Sequence, residues 1–162
     1  MTTAPSTPAL SVNTHLRVAT SALLLLALTS LHHAYGAMAF GTPWRLHVLL
    51  FVVPAAIVIV VLLYSGWVAN TARSARVLTW AAAAVVFVVP IVLVGYVEGG
   101  YNHVFKNIVY FGFGEAAFHA IFPTPPYEMP KDLFFEITGL AQFPLSLLTT
   151  VLTVRMLKSF GK

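Results

Sequence analysis

The residues in this sequence that could do chemistry are histidines and carboxylates that recur near the ends of apolar stretches. His32 and His33 close the first stretch, His47 opens the second, and Glu98 ends the third. A further acid, Glu136, lies inside an apolar run, LFFEITGLAQF. Imidazole nitrogens and carboxylate oxygens together form a donor set that iron, zinc, manganese or copper(II) accepts. Because the chain has no cysteine, thiolate ligands and nucleophiles are excluded.

More donors lie in the segment Tyr101–Phe122, which mixes seven aromatic residues with polar ones. Its imidazoles are His103 and His119, and Glu115 precedes His119 by four residues, a spacing that places two side chains on one helix face. Polar residues recur every three or four positions, which predicts an amphipathic or re-entrant segment at a membrane interface. Because the sequence has no regular ligand signature such as HExxH, it favours no particular metal.

Membrane-spanning helices are the elements that must position these groups. Of the 162 residues, 59% are apolar and 9% are charged, and the mean hydropathy is +0.86. This composition excludes a water-soluble enzyme domain, a nucleic-acid-binding domain and a disordered chain. Charges are absent from four long stretches, and ~20 apolar residues suffice to cross ~30 Å of hydrocarbon. The sequence therefore predicts an all-α integral membrane protein, a four-transmembrane-helix bundle with the interfacial segment between helices three and four on the outer face.

The expected spans cover about residues 18–40, 43–67, 77–98 and 130–157. They belong to one transmembrane domain, residues 16–162, which follows a flexible tail of residues 1–15 that is rich in Ser, Thr and Pro. Pro43 and Pro130 are expected in first helical turns, and the Glu98–Gly100 triplet is expected to end the third helix. Ala37–Ala39 would suit a signal-peptide cleavage site, although the long segment before the apolar run, with Arg17 as its one basic residue, favours an uncleaved helix.

The positive charges predict the orientation of the bundle. Six basic residues lie on one side of a four-helix chain, namely Arg17, Arg73, Arg76, Arg155, Lys158 and Lys162, and three lie on the other, namely Arg45, Lys106 and Lys131. We therefore expect both termini in the cytoplasm of a plasma or inner membrane. Every acid and five of the six histidines then lie on the outer side. At 1.5 Å per helical residue, all four helices bring an imidazole or a carboxylate to one layer near the outer boundary.

An unpaired carboxylate inside an apolar helix is costly, so we expect Glu136 to point into the bundle, together with Glu98. The expected metal ligands are His32, His33, His47, Glu98, His103, Glu115, His119 and Glu136, with Glu98 and Glu136 also the expected catalytic carboxylates. Several of these residues have an alternative reading as ordinary interfacial side chains, above all His47.

Three functional hypotheses follow from this donor set. The first is a metal-dependent oxidoreductase that acts on a lipid-soluble substrate. The second is a small membrane protein that binds or conducts a cation or proton, or that serves as an accessory subunit of a membrane complex. The third is a metal-free isomerase that uses the carboxylates as acid and base on a hydrophobic molecule. The expected partners are membrane lipid and, for two of these hypotheses, a hydrophobic small molecule.

Overall fold

A computed structural model describes residues 12–123 and 125–159, and within them the chain is helical without strands. The elements are α1 (Val12–Ala39), a 3₁₀ turn (Pro43–Val48), α2 (Leu49–Val68), α3 (Ala72–Val86), a π-helical segment (Phe87–Phe105), α4 (Lys106–Phe113), α5 (Glu115–Ile121) and α6 (Leu133–Lys158). Within these described residues, four helices are long and apolar enough to cross a membrane: Asn13–Ala39, Pro43–Val68, Ala72–Phe113 and Leu133–Lys158. The predicted all-helical architecture with four candidate spans is confirmed at this level.

The third long helix runs without a break from α3 through the π segment into α4. The prediction that the Glu98–Gly100 triplet ends this helix is wrong. The glycines instead allow α6 to pack directly against the helix, because a Cβ on Gly99 would lie 2.7 Å from the backbone nitrogen of Phe143. A Cβ on Gly95 would overlap the side chain of Ser146. Glycines four residues apart permit this close approach between membrane helices.

Two helix starts differ from the sequence prediction. Pro43 begins the 3₁₀ turn, so α2 itself starts six residues later, at Leu49. Pro130 lies outside α6, so its predicted place in the first turn is wrong. The N-cap of α6 is Asp132, whose carboxylate accepts a hydrogen bond from the backbone N–H of Phe135 at 2.8 Å. An acid at this position satisfies a free N–H group and suits the helix dipole, which explains why the helix begins here.

The core of the bundle is apolar and is formed by α1, α2, α3, the π segment and α6. Val18 and Leu25 of α1, Ile59 of α2, Val86 of α3 and Met156 of α6 all belong to it and are almost fully buried. Large apolar side chains also cover the outside of the bundle, most of all along α2. An apolar surface of this extent is suited to lipid rather than to water.

The segment Tyr101–Phe122 consists of helix rather than loop. Its first part completes the third long helix, and Gly114, with a φ of +86°, separates α4 from α5. Glycine adopts this left-handed conformation without steric cost, which explains the corner. The expected position of the segment at an outer membrane interface stays a prediction. Of the expected flexible tail, residues 1–11 lie outside the described residues, and Val12–His15 belong to α1.

Candidate metal centre

A cluster of three imidazoles and two carboxylates lies where α1, the π segment and α6 meet. α1 contributes His32 and His33, the π segment contributes Glu98 and His103, and α6 contributes Glu136. These five residues are called the His/Glu cluster below. His32 and His103 are almost completely buried, with exposed fractions of 0% and 1%.

The imidazole nitrogens converge on one carboxylate oxygen. Glu98 Oε1 lies 3.4 Å from His32 Nε2, 3.5 Å from His33 Nε2 and 3.5 Å from His103 Nε2. The Nε2 atoms of His32 and His103 are 3.1 Å apart. Two ligand atoms bound to one ion at about 2.0–2.2 Å lie about 3–3.5 Å from each other in tetrahedral or octahedral geometry. The donor atoms of His32, Glu98 and His103, which all lie within 4.8 Å of one another, are therefore spaced as ligands of one metal ion.

In His32 and in His103 the second ring nitrogen has its own hydrogen-bond partner. His32 Nδ1 lies 3.0 Å from the hydroxyl oxygen of Thr138, and this hydroxyl donates to the carbonyl of Phe134 at 2.8 Å. The hydroxyl oxygen thus accepts from His32 Nδ1–H. His103 Nδ1 donates to Glu136 Oε2 at 3.0 Å. When the ring is neutral, this arrangement leaves Nε2 without a proton, and its lone pair points toward the centre of the cluster, as in metal-binding histidines.

Glu136 is buried but well paired. Its Oε1 accepts from Lys106 Nζ at 2.6 Å, and its Oε2 accepts from Asn107 Nδ2 at 2.5 Å as well as from His103. The side chains of Lys106 and Glu136 are 2% and 8% exposed. Because either charge would be costly at this depth without the other, the pair must form together. Lys106 also donates to the backbone carbonyl of Glu128 at 3.2 Å, which ties the cluster to the proline-rich loop before α6.

The π-helical geometry places Glu98 and His103 on one side of the third long helix. In an α-helix, side chains five residues apart diverge by about 140°. With i→i+5 hydrogen bonding, residues five apart are neighbours on successive turns. Both side chains therefore reach the same centre from one helix, and Asn102 Nδ2 holds the second oxygen of Glu98 at 2.7 Å.

Two glycines make room for the rings of the cluster. A Cβ on Gly139 would overlap the imidazole of His103, so this ring occupies the space that a side chain would take. A Cβ on Gly36 would lie 2.6 Å from the ring of Phe135. That ring stacks on His32 at a centroid distance of 4.1 Å and meets His103 at 5.2 Å. The two buried imidazoles are thus fixed by contacts on several sides.

A cavity of about 230 Å³ lies beside the cluster and is lined on the cluster side by His33, Glu98 and His103. Arg45 and Tyr127 line it on other sides, and the exposed residues Trp44, His47 and Pro126 also border it. Burial raises the pKa of the Tyr127 phenol above its ordinary value.

Five of the eight predicted ligands lie in the His/Glu cluster, and three lie outside it. His47 is exposed at the cavity, and its Nδ1 lies 2.5 Å from the backbone oxygen of Trp44. Glu115 and His119 form an ion pair with each other on α5, with 3.5 Å between the closest atoms, and both side chains are exposed. The cluster therefore draws on three of the long helices rather than on all four.

Four residues of the site or its cavity are not predicted from the sequence: Lys106, Asn107, Asn102 and Arg45. Two of them carried a local signal, because Asn102 and Asn107 follow Glu98 and His103 by four residues. Lys106 also has a local feature that could have indicated a buried partner, because it is a charged residue within the largely apolar run Val104–Val109. Its partner Glu136 is thirty residues away in sequence, so the pairing itself could not be read from spacing.

The fold and the site together define a helical bundle with four candidate membrane spans and a buried His/carboxylate cluster of metal-ligand geometry. Comparison with protein-family models, with curated proteins and with solved structures gave no match. The functional conclusions therefore depend on the chemistry of the cluster alone.

Proposed function

We propose that this chain is an integral membrane protein that binds one divalent transition-metal ion through His32, Glu98 and His103. The spans are taken to cross a plasma or inner membrane with both termini in the cytoplasm, in contact with lipid along the exposed apolar faces. The proposal is supported by one observation above all: His32 Nε2, His103 Nε2 and Glu98 Oε1 lie 3.1–3.5 Å from one another, and all three atoms have a free lone pair when the two rings are neutral.

The positions of the ring protons decide which nitrogens are free to bind a metal ion. The partners of His32 Nδ1 and His103 Nδ1 are both acceptors, so each neutral ring keeps its proton on Nδ1. Two Nε2 lone pairs then face each other at 3.1 Å, and both face the carboxylate oxygen of Glu98. Like partial charges at this distance in a buried site repel one another strongly. A cation at their centre converts that repulsion into three favourable bonds.

Within this class of protein, we propose a metal-dependent oxidoreductase. Two imidazoles and one carboxylate are the donors with which non-haem iron oxygenases hold iron while leaving coordination positions open. The cavity adjoins this donor set, so an open position would be accessible. The lipid-soluble substrate of the sequence-based hypothesis stays a prediction, and the cavity volume of about 230 Å³ favours something smaller.

Elemental analysis of the full chain purified in detergent tests the metal proposal. We expect about one transition-metal ion per chain after growth in supplemented medium and removal of loosely bound metal. His103→Gln and Glu98→Gln should each lose most of this metal, because three ligands cannot be reduced to two without a large loss of affinity. Size-exclusion chromatography and circular dichroism report whether each variant is folded.

His119→Gln and Glu115→Gln are the matched controls, because they remove the same functional groups from an exposed pair outside the cluster. Both should retain the metal content of the natural sequence. A folded, metal-free protein after supplementation would overturn the proposal, as would equal metal loss in the control and cluster variants.

A second candidate function is supported by the position of His103 between two carboxylates. Its Nδ1 lies 3.0 Å from Glu136 and its Nε2 lies 3.5 Å from Glu98, an arrangement that stabilises a protonated ring. In that case the cluster holds a proton and serves proton binding or acid–base isomerisation. A metal-free protein whose His103 ring shows both N–H signals by ¹⁵N NMR would favour this function.

A further inference from the structure

We infer that the cavity beside the His/Glu cluster takes a small anionic ligand, which enters from the side of the proline-rich loop and reaches the metal. The inference rests on the proposed function, since it requires a metal ion held by His32, Glu98 and His103. It adds the chemical class of the ligand, its route, and a residue, Arg45, that selects it.

The cavity is placed to serve an open coordination position. Glu98 and His103, two of the three proposed ligands, form part of its wall. Three protein ligands leave at least one position for an exchangeable ligand, which is the arrangement of catalytic rather than structural metal sites. A molecule in the cavity would therefore lie beside the ion.

The volume of the cavity indicates how much of a ligand it can enclose. About 230 Å³ corresponds to roughly eight water molecules at ~30 Å³ each. This space suits a molecule of a few non-hydrogen atoms, not the body of a lipid. Exposed residues border the cavity at Trp44, His47 and Pro126, so the route in runs beside the 3₁₀ turn and the proline-rich loop.

The charges around the cavity favour an anion once the metal is present. Three negative charges lie at or near the cavity, on Glu98, Glu128 and Glu136, and two positive charges lie on Arg45 and Lys106. Arg45 Nη2 also lies 3.6 Å from Glu128 Oε1. A divalent ion adds two positive charges, so the group would carry a net charge of about +1. Burial makes this charge effective, because fewer water molecules screen it.

Arg45 is the residue best placed to hold the anion. Its guanidinium is buried, and its Nε and Nη2 atoms donate to Thr42 Oγ1 at 2.7 Å and to the carbonyl of Pro126 at 3.1 Å. Its ring contacts with Trp44 and Phe135, at 5.0 and 5.4 Å, fix its position. Within the described residues Nη1 makes no hydrogen bond, so its two donors remain for a ligand.

The test is an azide titration of the cobalt(II)-loaded full chain in detergent, followed by visible absorption. We expect a saturable change in the cobalt bands. Arg45→Gln should weaken azide binding about tenfold, the effect of one charge at ~6 Å with an effective dielectric constant of about 40. Glu128→Gln removes an opposing charge and should strengthen binding several-fold. Lys131→Gln, which removes an exposed charge from the same loop region, should change it less than twofold.

The outcomes separate this inference from the proposed function. Cobalt bands that do not respond to azide would overturn the inference and leave the metal site in place. An azide response that neither Arg45→Gln nor Glu128→Gln alters would overturn the role of Arg45 and the charge argument. Should Arg45→Gln fail to fold, the opposite effect expected of Glu128→Gln still decides the question. Failure to bind cobalt at all would overturn both proposals.

Discussion

Glu136→Gln should separate the two roles of this side chain, as partner of a buried cation and as support for a metal ligand. The carboxylate accepts from Lys106 at one oxygen and from His103 and Asn107 at the other. A carboxamide has one acceptor and one donor end. If its oxygen stays with Lys106, its NH₂ group faces two donors, and His103 must move its proton from Nδ1 to Nε2. That proton then lies where the metal should bind.

The burial of these groups sets the expected loss of stability and the expected loss of metal affinity. Leaving Lys106, whose side chain is 2% exposed, without its charged partner should cost about 3–5 kcal/mol of stability. Loss of a hydrogen-bond acceptor behind a metal-binding histidine should weaken metal binding about 10- to 100-fold, or about 1.4–2.7 kcal/mol. The double variant Glu136→Leu/Lys106→Met removes the unpaired cation and leaves His103 Nδ1 without an acceptor at position 136. It should recover much of the stability but none of the metal affinity.

Thermal unfolding in detergent measures the first effect, and competition with a chelator of known affinity measures the second. Each is done on the single variant, the double variant and the natural sequence, with and without metal. Natural metal affinity in Glu136→Gln would refute the tautomer argument. Recovery of affinity together with stability in the double variant would show that Glu136 acts through folding alone.

Two further predictions concern packing and topology. Gly139→Ala should destabilise the protein by about 1–3 kcal/mol and lower its metal content, because the new Cβ overlaps the His103 ring, whereas Gly112→Ala meets open space and should be neutral or slightly stabilising. Thermal unfolding and elemental analysis compare the two, and equal losses would contradict the packing argument. Reporter fusions after Arg76 and after Pro126 should report opposite sides of the membrane, and the same side for both would show that the assigned topology is wrong.

The sequence by itself determined the helical class of fold and the types of side chain that the cluster contains. A continuous apolar stretch of ~20 residues has the length of a membrane-spanning helix, and a helix pairs every backbone polar group within its own segment. The sequence also predicts a partner for Glu136, because an unpaired carboxylate within an apolar helix carries a large cost in free energy. The absence of cysteine left imidazole and carboxylate as the donors. These conclusions depend on local composition, which the linear sequence contains in full.

Only the tertiary structure decided which of the candidate groups meet. Glu115 and His119 have ligand-like spacing but lie on a short exposed helix, whereas Glu98 and His103 have the wrong spacing for an α-helix and meet through π-helical geometry. The Glu98–Gly100 triplet predicts a helix end because glycine is a weak helix former, yet Gly99 is a point of contact with α6. Whether a glycine ends a helix or lets another helix approach depends on what lies opposite it. That neighbour comes from a distant part of the chain, so local propensity contains no information about it.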